Sequence, residues 1–195
     1  MGTAFLAMGA AVLLASCGSA SESMVETTVD TDNGAMVAAP DPARAGEHLR
    51  LEPDGLSFVV TEGGDTRLAR FGTERARIVD AAGATLGAAL NSARRGDCPD
   101  GPLEAVLFPA GMTLFFGDGQ FVGWNLVEPG GHIATGMGVG IGSTRGELER
   151  TYAFRMRNDS SLGHEFKAGR LHGLLTGTGE EAKVTRIWAG KTCIR

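Results

Sequence analysis

The chain has 195 residues, 18 of them Lys or Arg against 23 Asp or Glu, for a formal net charge of −5. That balance provides no basic stripe to track a phosphate backbone, which argues against nucleic acid as a partner. Without a leader and a tether, roughly 150 residues remain to fold, enough for about one ordinary domain or two very small ones.

Residues 1–16 are apolar and carry no charged side chain, which suits the core of a secretory signal. The run is shorter than the about 20 apolar residues a stable membrane span needs, so it reads as a leader and not as an anchor. It ends in Leu14-Ala15-Ser16-Cys17, an apolar residue, two small ones and a cysteine. This tetrad resembles the lipobox of bacterial lipoproteins. The resemblance implies that the Cys17 thiol receives a diacylglyceryl group, that cleavage leaves Cys17 as the first residue, and that acyl chains such as palmitate hold the protein to a membrane. Each buried methylene contributes about 0.8 kcal/mol, so two or three chains anchor stably where one holds marginally. Gly18 and Ser19 follow the cysteine in place of Asp, which resembles the default pattern for export to the outer membrane. The expected location is the cell envelope, with the folded part in the periplasm.

Residues 17–47 are rich in Ser, Thr, Glu, Asp, Ala and Pro and show no sustained period. Such a segment buries too little apolar area to offset its ordering entropy. It reads as a lipidated flexible tether with a reach of a few tens of ångströms, taken as about 5–6 Å times the square root of its length.

Beyond the tether, β-prone runs alternate with Gly-rich turns. Strands are expected at Leu56–Val60, Glu104–Phe108, Met112–Phe116, Phe121–Val127, His164–Ala168, Leu171–Thr176 and Val184–Ala189. Gly117-Asp118-Gly119 is the sharpest hairpin signal, because Asp and Gly tolerate the positive φ of a tight turn. Two stretches seventy residues apart look alike: Phe71-Gly72-Thr73-Glu74-Arg75 and Ile141-Gly142-Ser143-Thr144-Arg145, each leading into a helical pattern. A hydroxyl in each can cap a helix start, and Thr144 with Glu147 has capping-box spacing. Ile78, Ala82 and Leu86 would line one helix face, and Leu148 with Tyr152 the other helix's. Both stretches lead on to an aromatic-plus-glycine piece, Val122-Gly123-Trp124 and Ile187-Trp188-Ala189-Gly190. The expected fold is therefore α+β, two tandem units over 48–130 and 131–195, each a short helix followed by an antiparallel meander.

A capped helix followed by a meander in an envelope lipoprotein resembles the small outer-membrane assembly lipoproteins of the SmpA/OmlA type, and a tandem pair resembles the β-lactamase inhibitor protein fold. The two aromatic-glycine pieces also resemble those of a family of small alphaproteobacterial proteins. None of these likenesses implies an activity or transfers a functional residue.

With Cys17 lipidated, Cys98 and Cys193 form an even pair in a compartment that permits disulfides. A bridge between them would pin the tail to the first unit, stabilising by up to about 4–5 kcal/mol in the chain-entropy model. The alternative is two independent buried thiols. The Gly-rich tract from Gly130 to Ser143 lacks the phosphate-binding spacing and a following lysine, so it reads as a crossover ending in a helix cap at Ser143. His164, Glu165 and His172 would meet across a hairpin but offer at most three ligands on short strands, where zinc needs three or four converging groups. No catalytic residue, cofactor or metal is assigned. Trp124 and Trp188 have small neighbours that would leave an indole face open, and indoles are enriched at interfaces. If both lie on an uncovered sheet face, that face is a candidate binding surface. The leading expectation is a lipid-anchored, non-catalytic module that binds or positions another envelope protein. An exported hydrolase with loop-borne residues and a periplasmic binder of a small ligand or metal are the alternatives.

Overall fold

A computed structural model of the chain describes residues 47–60, 63 and 65–194. The leader, Cys17 and the tether to residue 46 lie outside the described residues.

The described chain opens with a three-strand meander, β1 (Glu47–Glu52), β2 (Gly55–Val60) and β3 (Thr66–Arg70). Helix α1 (Arg75–Leu86) follows, then β4 (Asn91–Arg95), β5 (Leu103–Leu107), β6 (Met112–Gly117) and β7 (Gln120–Val127). The short β8 (Ala134–Thr135) leads to α2 (Arg145–Thr151), and β9 (Phe154–Met156), β10 (His164–Ala168), β11 (Leu171–Leu175) and β12 (Val184–Gly190) complete the chain. Two sheets result. One has four strands in the order β3-β2-β1-β8, the other eight in the order β4-β5-β6-β7-β12-β11-β10-β9.

This corrects the expected class. Twelve strands in two sheets dominate the described residues, and the two helices are short, so the molecule is mainly β and not an α+β pair of helix-plus-meander units. The expectation missed β1, β3, β4, β8 and β9, of which β1 does alternate, with Leu49 and Leu51 buried, and was absorbed into the tether and the start of the first unit. Thr66–Arg70 and Asn91–Arg95 sit at sheet edges and are almost wholly exposed. An edge strand that buries neither face shows no alternation to read. Each of the seven expected strands does coincide with an observed one, within a residue or two at its ends. The hairpin signal also holds: Asp118 and Gly119 form a two-residue turn with φ of 50° and 75°, pairing Gly117 with Gln120.

The core lies between the small sheet and one face of the large sheet. Leu49, Leu51, Leu56 and Phe58 from the small sheet join Val106, Leu114, Trp124, Leu126, Phe166 and Ile187 from the large one in a single buried cluster. In the α-helices, Ile78, Ala82 and Leu148 are buried as their spacing requires, with Leu86 and Tyr152 packed against the same cluster. Trp124 is fully buried and its indole Nε1 donates to the Glu52 carbonyl at 3.0 Å, tying the two sheets together. It is a core residue and presents no open face, a correction to its expected role at an interface.

Candidate groove on the outer sheet face

Cross-strand partners in a sheet share a side, and successive residues alternate. Starting from buried Trp124, the inner rung runs Val106, Leu114, Trp124, Ala189. The neighbouring rung therefore points outward. It crosses all eight strands as Asn91, Leu107, Thr113, Asn125, Trp188, His172, Lys167 and Arg155. Trp188 and Trp124 thus face opposite sides, and only Trp188 belongs to the outer face.

The outer face is not bare around Trp188. The C-terminal tail crosses it at Gly123, where a Cβ would collide with the Lys191 carbonyl oxygen, and the Lys191 amide donates to the Val122 carbonyl at 2.9 Å. Only glycine leaves room for this approach. Beyond the crossing, the sulfurs of Cys193 and Cys98 lie 2.12 Å apart, at disulfide distance. They pack with Leu103 and Phe115 in a small apolar cluster separate from the main core.

Between the tail and the loop that joins β9 to β10 lies a groove of about 380 Å³. Its floor is Trp188, His172 and Glu165. One wall is built by residues flanking the cysteines, Asp100 and Thr192 among them, and the other by the loop from Arg157 to Leu162. The His172 and Trp188 rings lie nearly parallel, 22° apart with centroids at 5.9 Å. Glu165 is 4 % exposed, and its Oε1 sits 3.3 Å from Arg157 Nη1 and 3.7 Å from His172 Nδ1. Arg157 also faces Asp159 at 3.6 Å. Burial, reinforced by the Lys167 charge, holds the His172 pKa below its ordinary value against the opposing pull of Glu165. At neutral pH the imidazole is therefore uncharged. Beside Trp188 on the outer rung, Asn125 is buried with its side-chain oxygen lacking a hydrogen-bond partner.

Of the His164, Glu165 and His172 trio, the fold brings the last two together and sends His164 to the opposite face, since it immediately precedes Glu165 on β10. Among the described residues no group of three His, Cys, Asp or Glu side chains converges to hold a metal ion. The Gly-rich tract is shaped by packing. A Cβ on Gly130 would lie 2.6 Å from Ile141 Cγ1, and one on Gly140 would lie 2.7 Å from the Ile133 carbonyl oxygen. Ser143 does not cap α2. Its hydroxyl accepts from the Gly140 amide, and Thr144 is the cap, with Glu147 closing a capping box.

A second groove, about 370 Å³, runs between β3 and α1 along Leu68 and Ile78. It has no comparable convergence of buried polar groups. Arg157 is the part of the site that sequence reasoning missed: it lies in a loop eight residues before Glu165, and nothing in its neighbours marks it. When the chain is compared with family models, with curated proteins and with solved structures, none of them matches it.

Proposed function

We propose that this protein is a lipid-anchored, non-catalytic binding module of the cell envelope, and that the groove at Trp188 is its recognition site. The observation that carries the reading is the groove's position. The described chain begins at Glu47 in the small sheet, which covers the inner face of the large sheet, whereas the groove lies on the outer face. The groove therefore opens on the sheet face that the small sheet leaves uncovered. The tetrad at Cys17 and the sulfur pair at bonding distance both suit an exported protein.

Binding is favoured over hydrolysis by the surroundings of His172. An imidazole whose Nδ1 faces a carboxylate is half of a nucleophile-activating arrangement, and the other half is a hydroxyl or thiol hydrogen-bonded to the second ring nitrogen. Among the described residues no hydroxyl hydrogen-bonds His172, and Cys98 and Cys193 are paired with each other. Of the hydroxyls that line the groove, those of Ser160, Ser161 and Thr192, that of Ser160 accepts from the Leu162 amide at 3.1 Å.

Two measurements test the proposal. Cys17→Ser should move a folded protein from the membrane to the soluble fraction, and persistence in the membrane would overturn the anchor. A photo-crosslinking residue at Ser161 on the groove rim should give a discrete adduct in intact cells, whereas one at Arg77 on α1 should not. Equal labelling from the two sites would overturn the groove as the recognition surface.

A further inference from the structure

We infer that the Cys98–Cys193 disulfide is a redox latch on the groove: oxidised, it holds the C-terminal tail as a wall of the site, and reduction by a dithiol releases that wall and abolishes recognition. The inference rests on the binding reading above and adds the regulation of the same site.

The latch sits where it decides the shape of the groove and little else. Pro99 and Asp100, which follow Cys98, and Thr192 and Ile194, which flank Cys193, all line the groove. The bond therefore joins, across 95 residues of sequence, the two segments that make one wall. Neither cysteine belongs to the main core. Both pack with Leu103 and Phe115 in the separate outer cluster, so opening the bond leaves the contacts between the two sheets in place.

The tail has little else to fasten it. Strand β12 ends at Gly190, and the Lys191 amide still donates to the Val122 carbonyl. Among the described residues, none gives a hydrogen bond to or takes one from Thr192, Cys193 or Ile194. A segment with so few hydrogen bonds, and no share in the main core, opens locally well before the fold does.

Access decides which sulfur is attacked. Cys98 is 7 % exposed, whereas Cys193 is only partly buried. A thiolate of the dithiol bonds to the Cys193 sulfur, and the Cys98 sulfur leaves with the electron pair and takes up a proton. The second thiol of the reductant then attacks its own sulfur in the mixed disulfide and releases Cys193 as a thiol. Two electrons pass from the dithiol, which ends as a disulfide, to the cystine.

Trp188 reports the opening. It is 7 % exposed and borders the groove with Thr192 and Ile194, while Trp124 stays buried in the core. The test equilibrates the full lipidated protein in detergent at a series of reduced-to-oxidised dithiothreitol ratios and follows tryptophan emission and far-ultraviolet circular dichroism. Reduction is expected to shift the emission to the red, reversibly and with the dichroism unchanged, and Trp188→Phe should abolish the shift. In intact cells, Cys98→Ser combined with Cys193→Ser should lower the Ser161 crosslink at least tenfold without any reductant. A crosslink from that double variant equal to that of the unaltered cysteines would overturn the latch and leave the groove standing. Loss of the dichroism on reduction would also overturn it, making the bond a staple of the whole fold. If the Ser161 crosslink is absent even with the disulfide formed, the binding reading falls and takes the latch's role in recognition with it.

Discussion

The two helix starts of this protein share a backbone and differ in how they are secured. Gly72 and Gly142 both take positive φ, 95° and 87°. At the first start, the Gly72 amide donates to the Phe121 carbonyl, the Phe121 amide to that of Thr73, and the Arg75 amide to that of Gly119. At the second, the Gly142 amide donates to the Val184 carbonyl, the Val184 amide to that of Ser143, and the Arg145 amide to that of Ala182. Each arginine also lies over a phenylalanine ring, Arg75 over Phe116 at 5.5 Å and Arg145 over Phe154 at 5.4 Å. The difference lies in the side chains. Helix α1 has no side-chain cap, and Arg75 instead grips Glu104 on β5 through Nε and Nη2, with Ser92 adding a third donor to the carboxylate. Helix α2 closes itself with the Thr144 and Glu147 capping box, and its arginine pairs with Glu149 one turn along the helix. The first start is fastened by an ion pair to β5, whereas the second adds a capping box of its own to the bond that Arg145 Nη1 donates to the Thr178 carbonyl.

Removing the fastenings should expose that difference. Glu104→Ala takes away the acceptor for both Arg75 and Ser92, and we expect a loss of about 1–2 kcal/mol, kept low because the pair is partly exposed. Glu149→Ala at the equivalent arginine should cost no more than about 0.5 kcal/mol, the range of helix-surface pairs. Chemical denaturation of the two variants gives the ratio, and equal losses would show that the fastenings do not differ. Thr144→Ala should cost about 1 kcal/mol, as for other N-caps. Thr73→Ala should cost less, because its hydroxyl only donates to the Arg70 carbonyl and caps nothing.

Acid provides the finest distinction. The Arg75 hydrogen bond holds the Glu104 carboxyl below the usual carboxylate value, and the Thr144 amide does the same for Glu147. A carboxylate with a depressed folded pKa adds stability above its unfolded value, and that stability is lost as pH falls through the folded one. Stability should therefore decline below about pH 4.5. Glu104→Gln and Glu147→Gln should each flatten part of that decline when unfolding is followed between pH 3 and 6, and an unchanged slope in either would remove its glutamate from the account.

The same contrast explains what was legible in the sequence. The capping box at Thr144 is local, so its spacing alone identifies it, as does the Asp118-Gly119 turn. The seven strands found are runs of β-prone residues bounded by Gly-rich turns, and some of them, such as β2, are buried on both faces. Edge strands β3 and β4 bury almost nothing and left no trace, and β1, β8 and β9 were missed with them, so the sheets were undercounted and the class misjudged. Within the groove, Glu165 and His172 were legible as hairpin neighbours, whereas Arg157 was not. Trp188 and Trp124 look equivalent in sequence, each beside small residues, and only the register across β7 and β12 shows that one faces the core and the other the groove. Long-range pairing carries that information, and a sequence holds it only diffusely.

The tail's path over the outer face has a practical consequence for anyone handling the protein. Thr192 and Ile194 border the groove, so a purification tag or reporter fused behind them would begin at its rim. Such a fusion would act as a tethered competitor, and weak or absent ligand binding measured with it would say nothing about the untagged chain. Gly136, between β8 and α2 and not among the residues that line the groove, is the better place for a label, because a side chain there would meet nothing within 4 Å.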